Sequence, residues 1–155
     1  MKKLKSVNLL IIFLLLIGCG YVPLYKDLSN TNFSITINKI SGDRNLNNLF
    51  KSNLINYNSN NSETNYSIDI NTEYLKSIIA KDTTGAATEY KLIVEASFKV
   101  NSKNYEREFV FKESFNMKSI TDKLEEQDYE ENIKSNLVNI IAKKLILKLS
   151  LIKWF

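Results

Sequence analysis

Apolar and polar residues alternate in four stretches of this chain and recur at helical spacing in two others. Phe33, Ile35 and Ile37 alternate with Ser34, Thr36 and Asn38, the two-residue period of a strand with one buried face. Asp43 then stands where it can cap a helix in which Leu46, Leu49, Phe50, Leu54 and Tyr57 share one side, with Asn47, Asn48 and Lys51 opposite. Residues 58–65 are a polar connector of turn-forming Asn and Ser. Alternation resumes at Tyr66, Ile68, Ile70 and Thr72, a strand that extends to about Ile79. After a turn at Asp82-Thr83-Thr84-Gly85 comes the clearest amphipathic strand, with Tyr90, Leu92, Val94, Ala96, Phe98 and Val100 on one face. A short link at 101–104 leads to Tyr105, Arg107, Phe109, Phe111, Glu113 and Phe115, which predicts an antiparallel hairpin. Ser119 with Asp122 predicts a capping-box start for a last helix, whose main stripe is Leu137, Ile141, Leu145, Leu149 and Ile152.

The order β-α-β-β-β-α, with two amphipathic helices and strands polar on one side, predicts an α+β fold of two layers. Both helices pack on one face of a four-stranded mixed sheet. If the first two strands run parallel, the helix between them makes a right-handed crossover. No repeat of fixed period interrupts this order.

The N-terminus follows a different pattern. Met1-Lys2-Lys3-Leu4-Lys5 runs into the apolar block Leu9 to Ile17, and Leu16-Ile17-Gly18-Cys19 closes it. A basic start, a short apolar run and a small residue describe an export signal, whereas a membrane span needs about 20 apolar residues. Leu-Ile-Gly-Cys resembles a bacterial lipobox, which implies cleavage before Cys19 and acylation of that residue. An ordinary cleaved signal and a short uncleaved anchor remain as alternatives. Two or three acyl chains, each methylene adding about 0.8 kcal/mol, hold a protein on a bilayer without further help. The expected organisation is therefore a lipoprotein signal peptide at 1–18, a tether at 19–32 and a single domain at 33–155.

Composition narrows the chemistry. Of 155 residues, 137 remain after the leader, a normal size for one domain with one core. Lys2, Lys3 and Lys5 leave with it, so 21 basic and 17 acidic residues become 18 and 17. That balance, with no recognisable motif, gives no basis for nucleic-acid binding. Cys19 is the single cysteine and histidine is absent, which excludes internal disulfides, Ser/His/Asp triads and ordinary zinc sites. Glycines form no phosphate-binding loop. The acidic run Glu125, Glu126, Asp128, Glu130 and Glu131 reads as negative charge at a helix start, where the macrodipole favours it. No catalytic, metal or cofactor residue is expected, and the chain does not read as an enzyme.

Three segments together resemble the LptE family of lipopolysaccharide-assembly lipoproteins. Gly18-Cys19-Gly20-Tyr21-Val22-Pro23-Leu24-Tyr25 is similar to the family's lipobox and its aromatic-Pro-Leu-Tyr lead. Thr84-Gly85-Ala86-Ala87-Thr88-Glu89-Tyr90-Lys91-Leu92 resembles the small-residue entry to the third strand, and Phe115-Asn116 stands before an acidic, then apolar, last helix. The resemblance implies a lipoprotein held by acylated Cys19 on the periplasmic side of the outer membrane. Its implied partners are the β-barrel protein LptD, which it plugs and helps to assemble, and lipopolysaccharide. Gly20 is consistent with outer-membrane sorting. The competing expectation is a free-standing periplasm-facing lipoprotein that binds an amphiphile or activates an envelope enzyme. No obvious cationic cluster marks a lipid A site; Lys76, Lys81, Lys91 and Lys103 lie near strand ends or turns, where they either reach lipid A phosphates or are solvated lysines on polar faces, and the second reading is favoured.

The last helix carries a second apolar line. Ile140, Leu147, Leu151 and Trp154 recur at i, i+7, i+11 and i+14, rotated from the main stripe. Either one broad face is buried between the sheet and the first helix, or this line is a partner contact that docks on a barrel wall or lipid. Lys143, Lys144, Lys148 and Lys153 argue against a spanning helix.

Overall fold

The structure, a computed structural model, describes residues 33–58, 62, 64–103 and 105–152. Strand β1 (Phe33–Gly42) leads to helix α1 (Arg44–Leu54) and a 3₁₀ turn (Ile55–Tyr57); strands β2 (Thr64–Lys81), β3 (Ala87–Ser102) and β4 (Tyr105–Lys118) follow, and helix α2 (Lys123–Ser150) ends the order. The sheet runs β1-β2-β3-β4. β1 is parallel to β2, and the other two pairings are antiparallel, which makes the sheet mixed as the alternation predicts. β2 starts two residues before Tyr66 and runs two beyond Ile79, because Thr64 and Asn65 pair with Phe33 and Ser34 and Lys81 pairs with Ala87.

Leu46, Phe50 and Leu54 of α1 are buried in one core with Ile35, Tyr66, Ile68, Ile70, Val94, Ala96 and Phe98 of the sheet. Phe50 meets Phe98 edge-on at 5.6 Å between ring centroids. Asp43 caps α1 as expected, its Oδ1 accepting the Leu46 N–H at 2.9 Å. Tyr57 stays beside the core, although the helix has already tightened into a 3₁₀ turn there.

The junction between β1 and α1 is close-packed. Gly42 has φ +96°, and a Cβ there would stand 1.9 Å from the Thr72 carbonyl oxygen, so only glycine fits. That carbonyl accepts the Asp43 N–H at 3.1 Å, and the buried Thr72 hydroxyl donates to Asn47 Oδ1 at 2.8 Å. Helix α1 is thereby pinned to β2 at its first turn.

The capping-box expectation for the last helix needs correction. Asp122 is the N-cap, accepting from Leu124 N at 2.8 Å and Glu125 N at 3.2 Å. The Ser119 hydroxyl instead donates to Glu126 at 2.9 Å, so it anchors the approach to the helix rather than its first turn. Along α2, Ile133, Leu137, Ile141, Leu145 and Leu149 are buried, and so are Val138, Ala142 and Ile146 beside them. Positions four apart advance about 40° around a helix, so this contact winds across the sheet as the helix proceeds. The buried face is broad, but its breadth comes from Val138, Ala142 and Ile146, and it does not take in the second apolar line as the broad-face alternative expected.

Candidate functional site

Ile140, Leu147 and Leu151 do not belong to that broad face: they are 42%, 42% and 65% exposed. The second half of the core contact is made by Val138, Ala142 and Ile146 instead, on the opposite flank of the main stripe. Cys19 and Trp154, the other two residues expected to matter, lie outside the described residues. Lys144 falls at i+4 from Ile140 and i−3 from Leu147, hence on the same line, and its ammonium hydrogen-bonds Glu113 of β4. The apolar line therefore runs beside β4, the last strand of the sheet. Ile140, Lys143, Lys144 and Leu147 border a shallow groove there.

A second cluster sits under the first half of α2. Glu130 accepts from Lys76 at 2.6 Å and from the Tyr74 hydroxyl at 2.7 Å, and it lies 3.2 Å from Lys134. Glu126 accepts the Ile120 N–H and the Ser119 hydroxyl, both at 2.9 Å, and stands 3.8 Å from Lys76. Lys76 lies over the Tyr90 ring and Lys134 over the Tyr74 ring, at 4.2 and 4.3 Å from their centroids. The Ile120 N–H holds the Glu126 carboxyl below the ordinary glutamate range against the opposing effect of burial. Burial works to raise Glu130, but hydrogen bonds from Lys76, Tyr74 and Lys134 outweigh it and its carboxyl is also depressed. Burial first, and then the Glu130 carboxylate, push the Tyr74 phenol far upward.

The helix-dipole reading of this acidic run missed the two residues that face inward. A usable signal was present: Glu126 and Glu130 precede Leu137 by eleven and seven positions and so continue its stripe towards the N-terminus. Lys76 likewise continues the inward face of Ile68, Ile70, Thr72 and Tyr74 on β2. It is paired with Glu130 and only partly solvated, whereas Lys81 and Lys103 are exposed. Every charge of the cluster has a partner, so it can clamp the helix and offers no free base or nucleophile.

The sheet face away from the helices carries Asp69, Asn71, Glu73, Lys91, Glu95, Ser97, Lys99 and Lys112, with Leu75, Ile93 and Val110 among them. Among the described residues no helix is long and apolar enough to cross a membrane.

No protein-family model matches the chain, and no curated protein matches its sequence. Among solved structures, rare lipoprotein B from Shewanella oneidensis is similar at 15% identity, with a TM-score of 0.56 over 74% of this chain and 94% of that one. A Caulobacter crescentus protein described as a lipoprotein matches at 11% identity, with a TM-score of 0.50 over 79% of this chain and 89% of that one. At these identities the likeness is one of fold, and the fold of this chain is that of rare lipoprotein B.

Proposed function

We propose that this chain is an envelope lipoprotein of the LptE type. Acyl groups on Cys19 hold it on the periplasmic side of the outer membrane, and its folded part seats in the β-barrel protein LptD to assist lipopolysaccharide insertion at the cell surface. The observation that carries this reading is the exposed line of Ile140, Leu147 and Leu151 on a fold shared with rare lipoprotein B. Fold alone does not specify a task, so the surface matters more than the topology. An apolar ridge about 16 Å long, spaced along one helix, suits a protein contact. The polar open face of the sheet suits the water-lined interior of a barrel. The lipobox resemblance at Leu16-Ile17-Gly18-Cys19 supplies the anchor.

Copurification from detergent-solubilised envelopes tests it. A tagged full-length chain should bring down the barrel protein in a one-to-one complex, and metabolic labelling with a fatty-acid probe should mark the chain but not its Cys19→Ala variant. A chain that stays membrane-bound and folded with no barrel partner would replace this reading with that of a free-standing lipoprotein. Absence of label from the unsubstituted chain, or equal label on Cys19→Ala, would remove the lipid anchor.

A further inference from the structure

Among the described residues the sheet ends on β4, which pairs with β3 along one side and with no other strand. Free edges are usually blunted by charge, proline or brevity, and β4 runs for 14 residues without proline. Its middle, Phe109-Val110-Phe111, carries no charge, and Val110 is 58% exposed. On either side the charges follow an order with twofold symmetry in sign: Arg107 and Glu108 precede the apolar triplet, and Lys112 and Glu113 follow it.

We propose that the free edge of β4 pairs antiparallel with the same edge of a second copy of this chain, about a twofold axis at Val110. In that register Val110 faces its own equivalent and Phe109 faces Phe111. Glu108 faces Lys112 and Arg107 faces Glu113, and each pairing occurs twice by symmetry. No like charges meet. A shift of the centre by one position, to Phe109 or Phe111, loses this: the first sets Glu108 against Val110, and the second sets Lys112 against Val110 and Glu113 against Phe109. The charge order of the edge therefore favours its own copy in this register over a shift of one position either way.

Directly opposed residues in an antiparallel ladder share a face, so the two four-stranded sheets join into one with all helices on the same side. The line of Ile140 and Leu147, which runs beside β4 through the Lys144–Glu113 contact, then lies next to the axis in both copies. Lys112 already lies 3.0 Å from Glu95, and Glu113 already binds Lys144, so the pairing extends existing ion pairs rather than burying isolated charges. The inference goes beyond the barrel reading and does not depend on it. A barrel that takes the same flank must first separate the copies.

Disulfide trapping of the full chain in detergent, with diamide as oxidant and the unsubstituted chain as the Cys19 background, tests the register. Val110→Cys should give a covalent dimer, because opposed Cα atoms lie within the roughly 4.4–6.8 Å that a disulfide spans. Lys112→Cys should not exceed background, since its equivalent lies about 13 Å along the partner strand. A mixture of Glu108→Cys and Lys112→Cys chains should cross-link again. Absence of the Val110→Cys dimer, or equal trapping at position 112, overturns the proposal. Glu108→Lys should weaken dimerisation at least about fivefold in sedimentation, and Glu108→Lys with Lys112→Glu should restore it. An unaffected dimer in the single variant also overturns it.

Discussion

Lys76 on β2 and Glu130 on α2 meet at 2.6 Å, where the inward stripe of each element turns from apolar to charged. The pair spans the two layers and is only partly solvated, at 29% and 14% side-chain exposure. Removing one partner leaves the other without its match, which costs more than the pair contributes. Glu130→Gln should lower unfolding free energy by about 2 kcal/mol, less than a fully buried pair would lose because Lys76 still reaches water. Tyr74→Phe, which deletes the 2.7 Å hydroxyl bond to the same carboxylate, should cost about 1 kcal/mol. In a double-mutant cycle by urea denaturation the double variant should lose less than the sum of the two single losses, since both act on one carboxylate.

The same cluster sets opposite pH limits. Glu126 and Glu130 have native pKa values below the ordinary 4.5, so the unfolded chain binds more protons in acid. Their contribution is complete above pH 4.5 and is lost as pH falls through the depressed native values. Tyr74 and Lys134 are raised, so their contribution is complete below about pH 10 and declines as pH rises through the native values. Thermal melts should show a plateau between these limits. Glu130→Gln should flatten the acid limb.

Glycine at 42 is required by contact as well as by conformation. Gly42→Ala places a methyl group against the Thr72 carbonyl at 1.9 Å in a left-handed conformation, so β1 must move off β2. A loss of about 3 kcal/mol is expected. Gly85 at φ +88° is the control, because nothing lies within 4 Å of its Cβ position. Gly85→Ala should cost about 1 kcal/mol, which equilibrium denaturation of the two variants resolves.

The strands and the order of elements were legible because burial on one face imposes a period of two that neighbouring residues cannot hide. Leu92, Val94, Ala96, Phe98 and Val100 show it without interruption, and all are buried. The wide core face of α2 was harder to read. Val138, Ala142 and Ile146 complete that face, while Ile140 and Leu147 are equally apolar and lie outside it. Composition does not say which of two apolar lines the sheet will cover; the crossing direction of the helix decides that. Glu126 and Glu130 were hidden for a related reason. Their charge suggested solvent, and only their phase relative to Leu137 showed that they face the sheet, where Lys76 receives them. Serine at 119 satisfied a local capping pattern, but Asp122, a stronger acceptor at the right spacing, took that role.

Leu145 and Leu147 separate stability from docking on a single helix. Leu145 is fully buried in the core, and Leu145→Ala removes its packing and leaves a cavity, at a cost of about 3 kcal/mol. Leu147 is 42% exposed on the line beside β4, so Leu147→Asn should change stability by less than about 0.5 kcal/mol. If this line meets the barrel protein, Leu147→Asn should nonetheless reduce the copurified barrel several-fold while the melting temperature stays near that of the unsubstituted chain. A variant that keeps full barrel recovery would move the contact away from Ile140, Leu147 and Leu151. Equal losses of stability in the two variants would mean instead that α2 packs with its other flank inward, contrary to the exposure of these side chains.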